Sequence, residues 1–326
     1  MVRDRSMRRT FLALAAALSL AGCSAKGGKG AGADAGPAAP SMTVAVITHQ
    51  APGDTYWDIV RKGAEAAAAK DGVKLRYAND PDGGAQATLV QNAIDSHVDA
   101  IAVTLAKPAA LAPVMRKARE AGIPVVVLNA GIDQWKDAGA VSFFGTDDGV
   151  AGEGAGKRAA ADGAKHLLCV SHEQGQVQQE ARCDGLRRGF APGRFDKLYV
   201  IGTDMPSVRS TIAAKLRQDP SIDLVVTLGA PFAITAIEAV KEAGSRAKIA
   251  TFDSNPQVPA AIRSGALQWA VDQQPYLQGY LAVDALWLQK TNGNVIGGGG
   301  PVLTGPYFVD RSNVDRIEKF AAAGTR

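Results

Sequence analysis

Little in this sequence is in excess. Aromatic side chains make up 6% of the 326 residues, there are three cysteines and four histidines, and 36 basic residues face 32 acidic ones. Arg3, Arg5, Arg8 and Arg9 against Asp4 account for most of that imbalance, leaving 32 bases and 31 acids after residue 22. A body so nearly neutral, without a Lys/Arg run, lacks the footprint with which nucleic-acid binders neutralise phosphates, so nucleic acid is excluded as a partner. The histidines His49, His97, His166 and His172 show no metal-ligand spacing, and His172-Glu173 is not followed by a zincin's second histidine. At Gly156-Lys157 a phosphate loop fails, because Ala151 stands at its first glycine and Arg158 at its hydroxyl position. Lys157 also takes the third-glycine place of a dinucleotide fingerprint begun at Gly152 and Gly154. There is no Gly-x-Ser-x-Gly elbow. The expectation is therefore no metal, no cofactor, no catalytic residue and no enzyme activity. The small residues from Gly149 to Gly156 read instead as a close helix contact.

Long apolar runs are absent too, with one short exception. Phe11 to Gly22 holds twelve residues with a single polar interruption after a basic stretch, which suits a signal-peptide core and is too short to span a bilayer. Residues 1–22 are read as a signal peptide and the protein as exported. Leu20-Ala21-Gly22-Cys23 resembles the lipobox of bacterial lipoproteins, which implies lipid attachment at Cys23 on the outer face of the cytoplasmic membrane. The Gly/Ala-rich stretch over residues 23–41 reads as a flexible tether. No later run reaches 18 apolar residues, so the membrane is met through the lipid alone.

What the chain does have is 46% hydrophobic and 21% charged residues, ordinary globular composition with length for two domains. From Met42 short β-branched runs alternate with Ala-rich helical stretches: residues 42–48 then 56–70, 100–103 then 108–120, and 124–128. The same grammar restarts after Asp147, with strands at 167–171, 198–201, 224–227, 249–252 and 269–272 between helices, the last helix ending near Lys290. Such alternation predicts an α/β protein of two doubly wound parallel-sheet lobes. The lobes are expected over 42–146 plus 275–301 and over 147–274 plus 302–326, joined by a three-crossing hinge near Asp147, Gln274 and Pro301. In such sheets ligands bind beyond the carboxyl ends of the strands. Cys169, on a strand, and Cys183, one turn into the next helix, are expected to form a disulfide in an oxidising compartment. The other reading is two buried free thiols.

The strand-end residues resemble those of the ribose-binding-protein-like (type I) sugar-binding proteins of ABC importers, over roughly residues 42–320. The motifs are Asp54 followed by Tyr56-Trp57; Val125 to Asn129; Phe144-Gly-Thr-Asp147; Glu180-Ala-Arg182-Cys-Asp-Gly185; Ile249 to Asp253; and Val271-Asp-Gln273-Gln-Pro275. The resemblance implies the type I periplasmic-binding-protein fold. It implies aromatic stacking on the sugar by Tyr56 and Trp57, and hydroxyl contacts from Asp54, Asn129, Arg182, Asp253 and Gln273. Arg182 and Asp253 are expected on opposite sides of the ligand. Two departures stand out. Asp54 occupies a place where the family usually has Asn, and Leu228-Gly-Ala-Pro231-Phe232 lacks the family's Asn-Asp pair, so Phe232 is expected to offer a ring face instead. The block His172-Glu173-Gln174-Gly175, beside the cysteine pair, looks like a subgroup associated with pentoses and small polyols, which adds His172 to the expected contacts. The implied function is capture of a monosaccharide or small polyol, pentose-sized by preference, and its delivery by a monomer to an ABC permease and its ATPase. A sugar-sensing receptor component without transport is the alternative.

Overall fold

Residues 42–326 are described by the computed structural model. The expected signal peptide, Cys23 and the tether lie outside them. The valine-rich runs become strands whose residues are buried on both faces, as parallel strands between helix layers must be. The first lobe contains β1 (Thr43–Thr48), α1 (Tyr56–Asp71), β2 (Lys74–Asn79), α2 (Gly83–Asp95), β3 (Ala100–Thr104), α3 (Pro108–Glu120), β4 (Val125–Asn129) and β5 (Ser142–Thr146). The second contains α4 (Asp148–Ala161), β6 (His166–Ser171), α5 (Val177–Phe190), β7 (Arg194–Tyr199), α6 (Met205–Gln218), β8 (Leu224–Thr227), α7 (Ala230–Ala243), β9 (Lys248–Phe252), α8 (Val258–Ser264) and β10 (Trp269–Asp272). The chain then makes α9 (Pro275–Asn292), β11 (Val302–Gly305), β12 (Tyr307–Asp310) and α10 (Val314–Ala322).

The sheet orders are β2-β1-β3-β4-β5-β11 and β7-β6-β8-β9-β10-β12, two doubly wound sheets of the same order. Along β1, Val44 and Val46 enter one core layer while Ala45 and Ile47 enter the other. In the second lobe Leu168 and Val170 alternate with Leu167 and Cys169 in the same way. Among the described residues no helix is long and apolar enough to cross a membrane.

Three expectations need correction. The third crossing does not fall near Pro301. β11 pairs in parallel with β5 in the first sheet and β12 pairs with β10 in the second, so the chain changes lobe between Gly305 and Tyr307. Residues 302–305 therefore belong with the first lobe. The second sheet is not wholly parallel, because β12 runs antiparallel to β10. The reason is direction: β5, β10 and β11 all arrive at the hinge, whereas β12 leaves from it. Finally, β7 begins at Arg194 rather than Leu198. It is an edge strand carrying Arg194, Asp196 and Lys197, so its apolar signal marks only its end.

Helix pairs lock each lobe at close range. A Cβ on Gly63 of α1 would lie 1.9 Å from the Tyr276 carbonyl oxygen of α9, and one on Gly152 of α4 would lie 2.3 Å from the Arg182 carbonyl oxygen of α5. Only glycine permits that approach. The residues from Gly149 to Gly156 thus serve helix packing. Cys169 and Cys183 are disulfide-bonded with Cα atoms 5.9 Å apart, tying β6 to α5. The free-thiol reading falls away.

Candidate ligand site between the lobes

The carboxyl ends of the central strands of both sheets face one cleft, and the chain arranges its polar residues there. Asn129 ends β4 and Asp253 follows β9, both with φ of 67°. Asn and Asp tolerate this left-handed conformation where other side-chain-bearing residues resist it, so the backbone need and the polar side chain coincide. In the loop before α1, Asp54 Oδ1 accepts from the Tyr56 N–H at 3.1 Å. Arg182 lies one side of α5 and reaches three elements. Its Nε donates to Asp148 at 2.7 Å, its Nη2 to Gln273 Oε1 at 2.8 Å, and its Nη1 to the Leu228 carbonyl at 3.4 Å. Gln273 Nε2 in turn donates to Asp253 Oδ1 at 2.5 Å.

These groups line one cavity between the lobes, formed by His49, Asp54, Tyr56, Trp57 and Asn129 of the first lobe, by His172, Glu173, Gln176, Gln178, Gln179, Arg182, Leu228 and Asp253 of the second, and by Gln273 at the crossing. Eight of the nine residues expected at the site are on that wall. Phe232 is the exception. Its ring face lies on the His172 imidazole, centroids 4.0 Å apart and planes 12° apart, and it lines neighbouring cavities rather than this one. His172 thus covers one of its faces, and one of those adjoining cavities is shared with Asp54, Tyr56, His172 and Asp253. Arg182 and Asp253 also differ from expectation, because Gln273 joins them into one continuous wall. Tyr56 and Trp57 belong to the first lobe's core as well as to the cavity wall. The Tyr56 hydroxyl accepts from Asn129 Nδ2 at 2.8 Å and donates to Gln278 Oε1 at 3.0 Å, while Trp57 packs its edge geometry against His49 at 4.6 Å.

Sequence reasoning missed His49, Glu173, Gln176, Gln178, Gln179, Leu228 and Asp148. His49 immediately follows β1, so strand-end position was the usable signal. The three glutamines open α5, and nothing in their spacing announces a ligand.

Burial dominates the electrostatics. Desolvation pushes the carboxyls of Asp54 and Asp148 up to about 6, with the Arg182 charge pulling the other way. It pushes Asp253 and Glu173 to about 7, the latter helped by the Asp54 charge. The same burial, with the Arg182 charge, lowers His49 and His172 to about 3, so both imidazoles are neutral. Perturbed groups gathered in one cleft are the mark of a functional site. Elsewhere His166 gathers Asp196 and Asp219. There Lys215 and Arg194 already pair with the two carboxylates, at 2.7 and 3.4 Å.

Residues 44–294 match the family model of the periplasmic binding protein domain. The chain belongs to that family, in its type I form. This periplasmic binding protein is 63% identical to a carbohydrate transporter from Acidothermus cellulolyticus 11B solved with myo-inositol. The match covers 88% of this chain and all of that one, with a TM-score of 0.87. It is 25% identical, with a TM-score of 0.75, to an ABC transporter solute-binding protein from Burkholderia graminis solved with D-arabinose, over 83% of this chain and 96% of the other. It is also 27% identical over 241 residues to the ribose import binding protein of Bacillus subtilis (strain 168), covering 69% of this chain and 74% of the relative. The family is one of solute-binding transport proteins rather than enzymes, and such proteins act outside the cytoplasm.

Proposed function

We propose that the protein is the extracytoplasmic receptor of an ABC importer, closing its lobes around one cyclic polyol or monosaccharide and handing it to a membrane permease driven by an ATPase. In this reading Asp54, Trp57, Asn129, His172, Arg182 and Asp253 contact the ligand, Tyr56 and Gln273 complete the wall, and Phe232 steadies His172. The receptor works as a monomer, held to the membrane by lipid on Cys23.

The observation that carries the reading is the cavity and its wall. It lies between the lobes at the carboxyl ends of the strands, where ligands of such sheets bind. Carboxyls, amides and a guanidinium converge on it from two lobes beside the indole of Trp57. A ring with a hydroxyl on each carbon needs this mixture of bidentate polar groups and a flat apolar surface. The relative solved with myo-inositol supports a cyclic polyol within that class.

A thermal-shift screen of myo-inositol, pentoses, hexoses and linear polyols tests the proposal. At 100 times its Kd the true ligand adds about 2.7 kcal/mol of stability. If no polyol or monosaccharide raises the melting temperature, the proposal is wrong.

A further inference from the structure

The neighbours of the two cleft histidines decide where each imidazole carries its hydrogen. Thr104 Oγ1 accepts from the His49 backbone N–H at 3.0 Å and from Gln86 Nε2 at 3.0 Å, the same amide nitrogen that donates to the Thr104 carbonyl. With both lone pairs used, the Thr104 hydroxyl has only its proton to give to His49 Nδ1, 2.7 Å away. Nδ1 therefore accepts, and Nε2 carries the hydrogen. The Gln178 side-chain amide lies 3.1 Å from that Nε2, across the cleft. An amide nitrogen there would set donor against donor, so the amide oxygen takes the place, with the Gln176 amide, 2.5 Å away, turned to donate to it. The other end of the Gln178 amide is buried without a protein partner. It is then an NH₂ group, on a residue that lines the cavity.

His172 comes out the opposite way. Gln179 Oε1 accepts from the backbone N–H groups of His172 at 3.1 Å and Glu173 at 3.3 Å and from the Ser171 hydroxyl at 2.9 Å. Its amide nitrogen must therefore donate to His172 Nε2, at 2.8 Å. The hydrogen of the neutral ring sits on Nδ1, which is buried with no protein partner. A buried donor left unpaired costs about 1–3 kcal/mol, a cost that a ligand oxygen removes.

We infer that Gln178, through its amide NH₂, and His172, through Nδ1–H, are donors to the ligand's oxygens, and that His49 is a positioning residue that orients Gln178 from the opposite lobe. The inference deepens the function proposed above and rests on it for the ligand. Thr104 and Gln86 lie in the first lobe with His49, and Gln179 lies in the second with His172, so each tautomer is set before closure. The His49 to Gln178 bond, by contrast, needs both lobes, as does the Val177 N–H donating to the Ala106 carbonyl at 3.1 Å. One amide thus joins lobe closure to ligand contact.

Long-range ¹H–¹⁵N spectra of the imidazoles test the assignment directly, with His49→Gln and His172→Gln identifying the signals. The ligand-free protein is expected to show hydrogen on Nε2 of His49 and on Nδ1 of His172. Either ring in the other form overturns the inference. Calorimetry with myo-inositol reads the consequence: Gln178→Met should weaken binding about tenfold. Gln178→Glu, which keeps an oxygen for His49 and lacks the NH₂, should weaken it as well and serves if the first variant misfolds. His49→Phe keeps a ring against Trp57 but leaves the Thr104 hydroxyl without its acceptor, so it should lose some of the ligand-free melting temperature and also about tenfold in affinity, with no further loss of affinity when combined with Gln178→Met. Parent-like binding by both Gln178 variants overturns the donor role. An unaltered protein that ignores myo-inositol while its tautomers come out as assigned overturns the ligand class and leaves the proton assignment standing.

Discussion

The loop after β1 and the loop after β6 leave equivalent places in the two sheets, each from the second strand in the order, and each opens with a histidine, His49 in one lobe and His172 in the other. Val103-Thr104-Leu105 at the end of β3 is matched by Val226-Thr227-Leu228 at the end of β8, and Asn129 at the end of β4 by Asp253 just after β9. The backbone is shared and the chemistry is not. Thr104 holds His49, whereas Thr227 Oγ1 bonds Thr251 Oγ1 at 2.7 Å and leaves His172 to Gln179 and Phe232. The first lobe brings the aromatic pair and a single carboxyl, Asp54. The second brings Arg182, Asp148, Glu173 and Asp253. Positions that the backbone constrains, such as the left-handed strand ends, keep Asn or Asp in both lobes. Positions it does not constrain have divided the labour, one wall carrying the aromatic pair, the other most of the charge.

The charged wall hangs on Arg182, and the largest effect should come from removing it. Arg182→Ala strands Asp148, which is 3% exposed, without its cation. Breaking a buried pair this way costs about 3–5 kcal/mol. Polyol affinity should fall on the order of a hundredfold or more. Combining it with Asp148→Asn should restore much of the melting temperature and none of the affinity. Arg188→Ala, on the exposed side of the same helix, should change neither. Recovery of binding in the double variant would show that Arg182 is only structural.

The second difference is covalent, because Cys169 and Cys183 join elements of the second lobe alone. Closing a loop of 14 residues' separation contributes about 3 kcal/mol in the chain-entropy model. Urea unfolding of the Cys169→Ser/Cys183→Ser variant, followed by hydrogen exchange, should show β6 and α5 losing protection before β1 and α1. Equal loss in both lobes would remove the disulfide as a source of the asymmetry.

Much of this comparison was legible in the sequence, for physical reasons. The central strands are Val/Ile runs buried on both faces, and the glycines that bring α4 against α5 repeat at helical spacing. The strand-end Asn129 and Asp253 were legible through the family resemblance of their strands, and the left-handed backbone explains why Asn and Asp stand there. β11 and β12 did not, being strands of four residues each with one buried residue apiece. The third crossing was misplaced with them. Gln178 was invisible because its role depends on a hydrogen that Thr104 gives to His49 in the other lobe, a relation between residues far apart in the chain.

The smallest effect is one of pH. Asp253 and Glu173, raised to about 7 by burial, bind more protons in the folded closed form than in the unfolded chain. They therefore stabilise the ligand-free fold less as pH rises from about 4 through 7. His49 and His172, lowered to about 3, act oppositely, but their contribution is complete once pH exceeds the unfolded value near 6.5. Between pH 6.5 and 8 the carboxyls remain, so the melting temperature of the ligand-free protein should fall over that range, and Asp253→Asn should flatten the slope. A parallel slope in the variant would mean that Asp253 is ionised already at pH 6.5.

The central claim is that the two unlike walls close on a single polyol. Isothermal titration of the protein with myo-inositol at neutral pH, run beside Arg182→Ala/Asp148→Asn, measures it most directly. The account predicts one site per chain in the parent and no measurable heat from the folded double variant. Equal binding by the two proteins, or none of any polyol or monosaccharide by a folded parent, would contradict it.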